Sequence, residues 1–307
     1  MDPRKGRTIL KVVKLLRTYG DGKFVEEDWI KPEPTDSEIE VKTLMTGVCR
    51  SDIDMMIGKF PTLPAHMSGH EGLGIVTKVG SNLPFVKEGD IVSTRGEPAY
   101  ADYYNVRKDE FVTVPEVHPK YILEPVACGI NCVIHAHEEF EKRQHSNCLI
   151  LGSGFLAWVV YNKLRYDFPN LHTDVLGSSN TDLWKNKLLL GTSNFYDIVI
   201  DLSGKYELGT EINLNNNAII IDAVGKSVSS KESQAQLWKA VTTIRPSPRT
   251  NTFIDAMYSA RWLIENGYIE VDNFWSKCYN RNTEWQQAFT DGLNRPEGYS
   301  RGYIKWD

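Results

Sequence analysis

The sequence predicts an α/β protein in two parts, a β-rich first part curling toward a partly open barrel and a doubly wound parallel sheet. Three observations predict it. Short strand-like runs separated by Gly, Pro, Asn and Asp clusters fill the chain as far as residue 122. From residue 123 onward, apolar strands alternate with segments of helical spacing. One of those strands, Asn147 to Gly152, ends in a glycine turn that opens a helix.

The elements follow in order. Residues 8–13, 38–44, 74–79 and 91–94 have strand character, and Lys31-Pro32-Glu33-Pro34-Thr35-Asp36 is a typical separator. Helical spacing starts near Ile122 and runs toward His137. The strand Asn147 to Gly152 leads into a helix from Phe155 to Tyr166, and a second strand spans residues 173–177. Leu188-Leu189-Leu190-Gly191 reads as the end of the next helix. Further strands cover residues 196–201, 218–222 and 240–244, and a helix covers Phe253 to Asn266. The domain reading is therefore 1–122 for the first part and 123–267 for the second. Residues from Tyr268 are short mixed elements.

Composition sets outer limits. The 307 residues are 24% charged and 41% hydrophobic, with a formal net charge of −5, which is ordinary for a globular protein. The only basic run is Arg4-Lys5-Gly6-Arg7, so no nucleic-acid surface is expected. No apolar stretch approaches the ~18–20 residues that span a membrane, and the start lacks a signal-peptide core. The five cysteines are scattered, with no Cys-x-x-Cys, which suits free thiols and a metal ligand. The expected compartment is the cytoplasm.

Two segments carry chemistry. Cys49-Arg50-Ser51-Asp52 and Gly69-His70-Glu71-Gly72 place a thiol and an imidazole 21 positions apart, with a carboxylate beside the imidazole. Thiolate and imidazole suit zinc. Gly152-Ser153-Gly154-Phe155-Leu156-Ala157 matches the dinucleotide fingerprint, with Ala157 in its third place. The first glycine makes the tight turn, the second admits a pyrophosphate at the helix N-terminus, and Phe155 and Leu156 open that helix. Beyond the second strand, Gly177-Ser178-Ser179-Asn180 lacks the acidic residue that binds an NAD ribose. Ser178, Ser179 and Lys185 are suited to a 2′-phosphate, which favours NADP(H) over NAD(H).

These motifs, with Lys78-Val79-Gly80, Glu88-Gly89-Asp90-Ile91-Val92 and Leu123-Glu124-Pro125, resemble those of the zinc-dependent medium-chain alcohol and polyol dehydrogenases. The resemblance implies a GroES-like catalytic domain, completed by residues 268–307, and a Rossmann nucleotide domain. It implies hydride transfer between a small alcohol or polyol and its carbonyl partner, in a homodimer or homotetramer. It makes Cys49, His70 and Glu124 the zinc ligands, with Cys128 the competitor for the third place. Glu71 either binds in an alternate state or stands behind the ligands, and Asp52 orients His70. Ser51 starts the proton relay, and Arg50 reaches the cofactor pyrophosphate. The relay's usual terminal His is replaced by Asp54, a poorer shuttle at neutral pH. The substrate pocket is placed near Ser51, Met56, Phe60 and Tyr100.

The chain also departs from that family. No cysteine lies between Asp90 and Tyr103, so a four-cysteine structural zinc is not expected. Too few residues separate Leu190 from Tyr196 for a full crossover, so one strand–helix unit at the sheet edge is expected to be shortened or lost. A zinc-free quinone or enoyl reductase and a non-catalytic nucleotide-binding relative are the alternatives.

Overall fold

The computed structural model describes residues 11–185, 187–189 and 191–306, apart from the side chain of residue 181. The basic run Arg4-Lys5-Gly6-Arg7 and the first three positions of the expected strand 8–13 lie outside the described residues. The chain forms two compact units. One holds the described residues up to Glu124 and those from Asp272; the other is Pro125–Val271.

The first unit begins with an antiparallel pair, β1 (Lys11–Thr18) and β2 (Phe24–Lys31). The acidic run Glu26-Glu27-Asp28 masks β2 in the sequence, yet Phe24 and Lys31 at its ends are buried. Next come β3 (Glu38–Gly47), α1 (Arg50–Met56), β4 (Gly72–Val79), β5 (Ile91–Thr94), β6 (Tyr103–Arg107) and β7 (Phe111–Thr113). A core of Ile39, Val41, Val76, Val92, Tyr104, Val106 and Phe111 holds these strands together. The β3–β4 pairing sets Thr46 opposite Gly72. The residues just after β3 and just before β4 therefore meet at one sheet end, which brings the two chemistry-bearing segments together.

The second unit starts with α2 (Glu124–His135), whose first residue belongs to the first unit, and α3 (His137–Glu141). It continues through β8 (Asn147–Leu151), α4 (Phe155–Asp167), β9 (His172–Leu176), α5 (Thr181–Trp184), β10 (Leu188–Leu189), β11 (Tyr196–Asp201), β12 (Leu214–Asp222), α6 (Ser230–Trp238), β13 (Thr242–Ile244) and α7 (Phe253–Glu265). The strands form one parallel sheet in the order β10-β9-β8-β11-β12-β13. This is the 3-2-1-4-5-6 order of a Rossmann sheet.

The structure refines the sequence reading of this sheet edge. The leucines at 188 and 189 are the third strand in minimal form, paired with Val175 and Leu176, and not the end of a helix. The edge strand is thus shortened, not lost. The helix before it is a single turn that stops at Trp184, so Lys185 is its C-cap in a left-handed conformation and not an interior helical residue. A second shortening escapes the sequence reading: among the described residues, no helix lies between β11 and β12. Trp184, at the end of the shortened α5, is a core residue. It is fully buried against Trp158 and Tyr161 of α4 and joins the core of Cys148, Ile150, Val160, Leu164 and Val175.

The chain then returns to the first unit through β14 (Trp275–Asn280), α8 (Trp285–Asn294) and β15 (Arg301–Lys305). Strand β15 pairs antiparallel with β3, Tyr303 opposite Gly47, and β14 pairs parallel with β15. In α8, Trp285, Ala288 and Phe289 pack on Leu16, Phe24, Ile53 and Met56. Among the described residues no helix is long and apolar enough to cross a membrane.

Candidate functional site

Strand register builds the first site. Cys49 is the N-cap of α1, just past β3, and His70 and Glu71 immediately precede β4. The Gly47 amide donates to the Glu71 carbonyl at 2.9 Å and extends the ladder toward them. A side chain at Gly47 would collide with the Glu71 carboxylate, so the glycine makes the close approach possible. Among the described residues, the group whose potential ligand atoms all lie within 4.8 Å of one another is Cys49, His70 and Glu71. Glu124 is buried and acts on His70 by its charge, but neither it nor Cys128 belongs to that group.

Ser51 sits against the two soft ligands. Its hydroxyl lies 3.3 Å from the Cys49 sulfur and 3.5 Å from Nε2 of His70. On the far side of the imidazole, Nδ1 faces Oδ1 of Asp52 at 3.5 Å. That arrangement keeps the proton on Nδ1, directed at the Asp52 carboxylate, and in the neutral ring turns the Nε2 lone pair toward Cys49 and Ser51. Asp52 is itself buried, with the Tyr100 hydroxyl 2.9 Å from its Oδ2. Tyr100 and Met56, expected to line a pocket, are core residues, and Tyr100 works by holding Asp52. Phe60 is exposed.

The electrostatics are strong because charged groups crowd together with little solvent around them. Burial disfavours the imidazolium, but the carboxylates of Asp52 and Glu124 outweigh it and raise His70 well above its ordinary pKa. Burial, and then the Glu71 charge, push the Cys49 thiol up as well. A cation bound between them would reverse both directions, since its ligands are a thiolate and a neutral imidazole. Soft sulfur, imidazole and carboxylate together are a zinc donor set.

Two C-terminal arginines complete this centre, and the sequence reading missed both. Arg301, brought in by the β15–β3 register, donates to both oxygens of Glu71, which is wholly buried. Arg295 follows α8; burial and then the positive charge of Arg50 lower its pKa. The signal in the sequence is slight, two arginines, Arg295 and Arg301, in a tail that also carries Glu297, Lys305 and Asp307. Arg50 and Asp54 are held by each other, with the Arg50 Nε and Nη2 3.0 and 2.9 Å from Oδ1 of Asp54.

The second unit carries the glycine turn. Gly152 has φ +115°, and Gly154 is the N-cap of α4, where an added Cβ would meet nothing within 4 Å. The helix N-terminus therefore faces open space, as an anion site requires. Phe155 is buried and Leu156 half-buried. Ser153 ties the turn to the loop after β9: its hydroxyl donates to the Ser179 carbonyl at 2.7 Å and accepts from the Ser179 amide at 2.9 Å. The Trp184 indole donates to the Ser153 carbonyl at 3.0 Å. Gly177 is packed against Ser153, and a Cβ there would lie 2.5 Å from Oγ. Gly177 is thus a close-approach position. Ser178, Ser179 and Lys185 are exposed.

A GroES-like sheet with a thiol, an imidazole and a carboxylate at one strand end stands in one chain with a Rossmann sheet and its glycine turn, a combination of the kind found in alcohol dehydrogenases. Comparison agrees. The alcohol dehydrogenase GroES-like domain family matches residues 35–116. An alcohol dehydrogenase from Moraxella sp. (strain TAE123) is 40% identical over 80 residues, 25% of this chain and 23% of that protein. The D-arabitol-phosphate dehydrogenase of Enterococcus avium is 29% identical over 183 residues, 48% of this chain and 50% of that protein. The matches thus span half or less of these relatives' lengths. The structure of S. aureus TarJ in complex with NADPH shares the fold at TM-score 0.77 and 17% identity, covering 97% of this chain and all of that one. Residues 35–116 thus match the alcohol dehydrogenase GroES-like domain family, and the chain as a whole shares the fold of the TarJ structure.

Proposed function

We propose that this protein is a zinc-dependent, NAD(P)-linked oxidoreductase that interconverts a small alcohol or polyol and its aldehyde or ketone. The observation that carries the reading is the meeting of Cys49, His70 and Glu71 within 4.8 Å, with the Ser51 hydroxyl against the first two. Cys49 and His70 hold the ion with Glu71, and Glu124 adds charge behind His70. This assignment puts Glu71 in the ligand place that the resemblance implies for Glu124. Zinc bound there supplies Lewis acidity to a substrate oxygen, and the nicotinamide cofactor supplies the redox equivalents.

The chain's own residues do the rest. Asp52 holds the His70 tautomer, and Arg301 holds Glu71 in the buried centre. Ser51 accepts the alcohol proton at Oγ and returns it in the reductive direction. Asp54 is the proposed outlet, once its ion pair with Arg50 opens. Arg50 would suit a cofactor phosphate, since a guanidinium binds phosphate oxygens bidentately. Gly152 and Gly154 admit the cofactor pyrophosphate to the start of α4, beside Phe155 and Leu156. Ser178, Ser179 and Lys185 favour NADP(H), because Gly177 brings no carboxylate to repel a 2′-phosphate. Five free cysteines suit a reducing cytoplasm.

The test is zinc content and turnover on a panel of alcohols and polyols with both cofactors. About one zinc per chain is expected, and Ser51→Ala should keep it while losing ~10²–10⁴-fold in kcat. Ser51→Thr should recover part of that loss. Protein supplied with zinc that binds none, or a Ser51→Ala enzyme of unchanged rate, sinks the reading.

A further inference from the structure

Two strand ends in the second unit make a controlled comparison. Asp201 closes β11 and Asp222 closes β12, and the register sets them side by side. Their Oδ1 atoms do the same work. That of Asp201 accepts from the amides of Ser203 and Gly204 at 2.9 and 2.8 Å, and that of Asp222 from Val224 and Gly225 at 3.1 and 2.7 Å. Their second oxygens differ. Oδ2 of Asp222 meets Nε of Arg245 at 3.0 Å. Oδ2 of Asp201 is buried with no hydrogen-bond partner, in a residue only 1% exposed. A buried carboxylate oxygen without a donor is costly, and in folded proteins such atoms are nearly always matched.

Asp201 lines a cavity of ≈ 450 Å³ that lies wholly within this unit. That is the size of a small-molecule site, ~300–1,000 Å³. Leu208, Ile220 and Val228 give it apolar walls, and α6 closes one side through Glu232, Ser233 and Gln236. Leu208 comes from the β11–β12 connection, which carries no helix among the described residues. The short crossover accounts for the open volume. Its charged lining is unbalanced. Lys226 is paired with Glu232 at 2.9 Å and Arg245 with Asp222, which leaves the charge of Asp201 over.

We propose that this cavity binds a small organic monocation, a primary ammonium or amidinium group on an apolar body. Binding turns the covered Oδ2 of Asp201 toward the ligand's N–H donors, and the body lies against Leu208, Ile220 and Val228. The site is separate from the thiol–imidazole centre, whose residues belong to the other unit. It stands whether or not the oxidoreductase reading does.

The probe is n-butylammonium chloride, titrated into the full chain by calorimetry, with sodium chloride at equal ionic strength and n-butanol as controls. Saturable binding of the ammonium alone is expected. Asp201→Asn keeps the acceptor for the Ser203 and Gly204 amides but puts a donor where the free oxygen stands. It should weaken binding by at least about tenfold, as loss of a charged hydrogen bond does. Ser233→Trp fills the cavity from α6 and leaves Asp201 intact, so it should block the probe equally and decides the matter if the first variant folds poorly. Equal binding by wild type and both variants overturns the proposal, as does an equal response to n-butanol or sodium chloride. Displacement of the probe by NADPH also overturns it, because the cavity would then be part of the cofactor groove.

Discussion

In the first unit, each reactive side chain is fixed from several strands at once. Cys49 leaves β3, His70 and Glu71 enter β4, and Arg301 arrives on β15 to hold Glu71. In the second unit, the glycine turn is tied down by one serine and one tryptophan, Ser153 and Trp184. The sheet keeps its strand order all the same. Parallel pairing and burial of Leu149, Val199 and Ile220 hold that order without every crossover helix, so helices over the sheet can shrink while its core persists. A reactive centre made of charges in a dry interior has no such slack, because removing one partner leaves another buried and unmatched.

The largest effect should come from breaking the tighter unit. If the proposed zinc site is right, His70→Ala is expected to lower turnover by more than about 10³-fold and to reduce zinc to a small fraction of wild type, since the proposed three-ligand site loses one ligand. Hydrogen exchange in residues 147–201 should not change. Metal analysis beside exchange mass spectrometry checks both; zinc retained at wild-type level would remove His70 from the site.

Trp184→Ala is the matching break in the second unit. A fully buried tryptophan cut to alanine should cost ~3–5 kcal/mol. The loss should appear as faster exchange around α4 and β9, with zinc content unchanged. A variant as stable as wild type would mean that Trp184 does not anchor this core.

The pH response sharpens the comparison, because only the first centre has a strongly raised imidazole. In metal-free protein, the His70–Asp52 pair stabilises the fold most below the ordinary imidazole value near ~6.5, and this is lost as pH rises through the raised value. Zinc works in the opposite sense, since it must displace protons from His70 and Cys49, and its apparent affinity should rise with pH. Thermal melts of metal-free wild type and Asp52→Asn across pH 5–9 give the first slope. A competition titration with a chelating dye gives the second, and a flat zinc affinity over that range would contradict the protonated site.

The smallest effect is expected at the rim of the glycine turn. Ser178→Asp places a carboxylate where the proposed function puts the cofactor ribose, away from the close approach that a side chain at Gly177 would make to Ser153. Preference should move toward NADH by about tenfold, through repulsion of the 2′-phosphate. Fluorescence titration with both cofactors measures it, and an unchanged ratio would place the ribose elsewhere.

The sequence by itself determined the parts whose signals are local. Apolar strands with a glycine turn marked β8 and α4, and Cys49 and His70 stood out by residue type and spacing. Strand β2 stayed hidden because acidic residues occupy its exposed positions, and the two leucines of β10 look the same in a helix or a strand. Tertiary structure alone decided which carboxylate joins Cys49 and His70. The sequence reading favours Glu124, with Cys128 its competitor and Glu71 in a supporting or alternate place, whereas the β3–β4 register brings Glu71 into the group with Cys49 and His70. It also decided the meeting of Arg301 with Glu71, 230 positions apart, and the contrast between Asp201 and Asp222. These are long-range pairings set by register and burial, and no local pattern of residues encodes them.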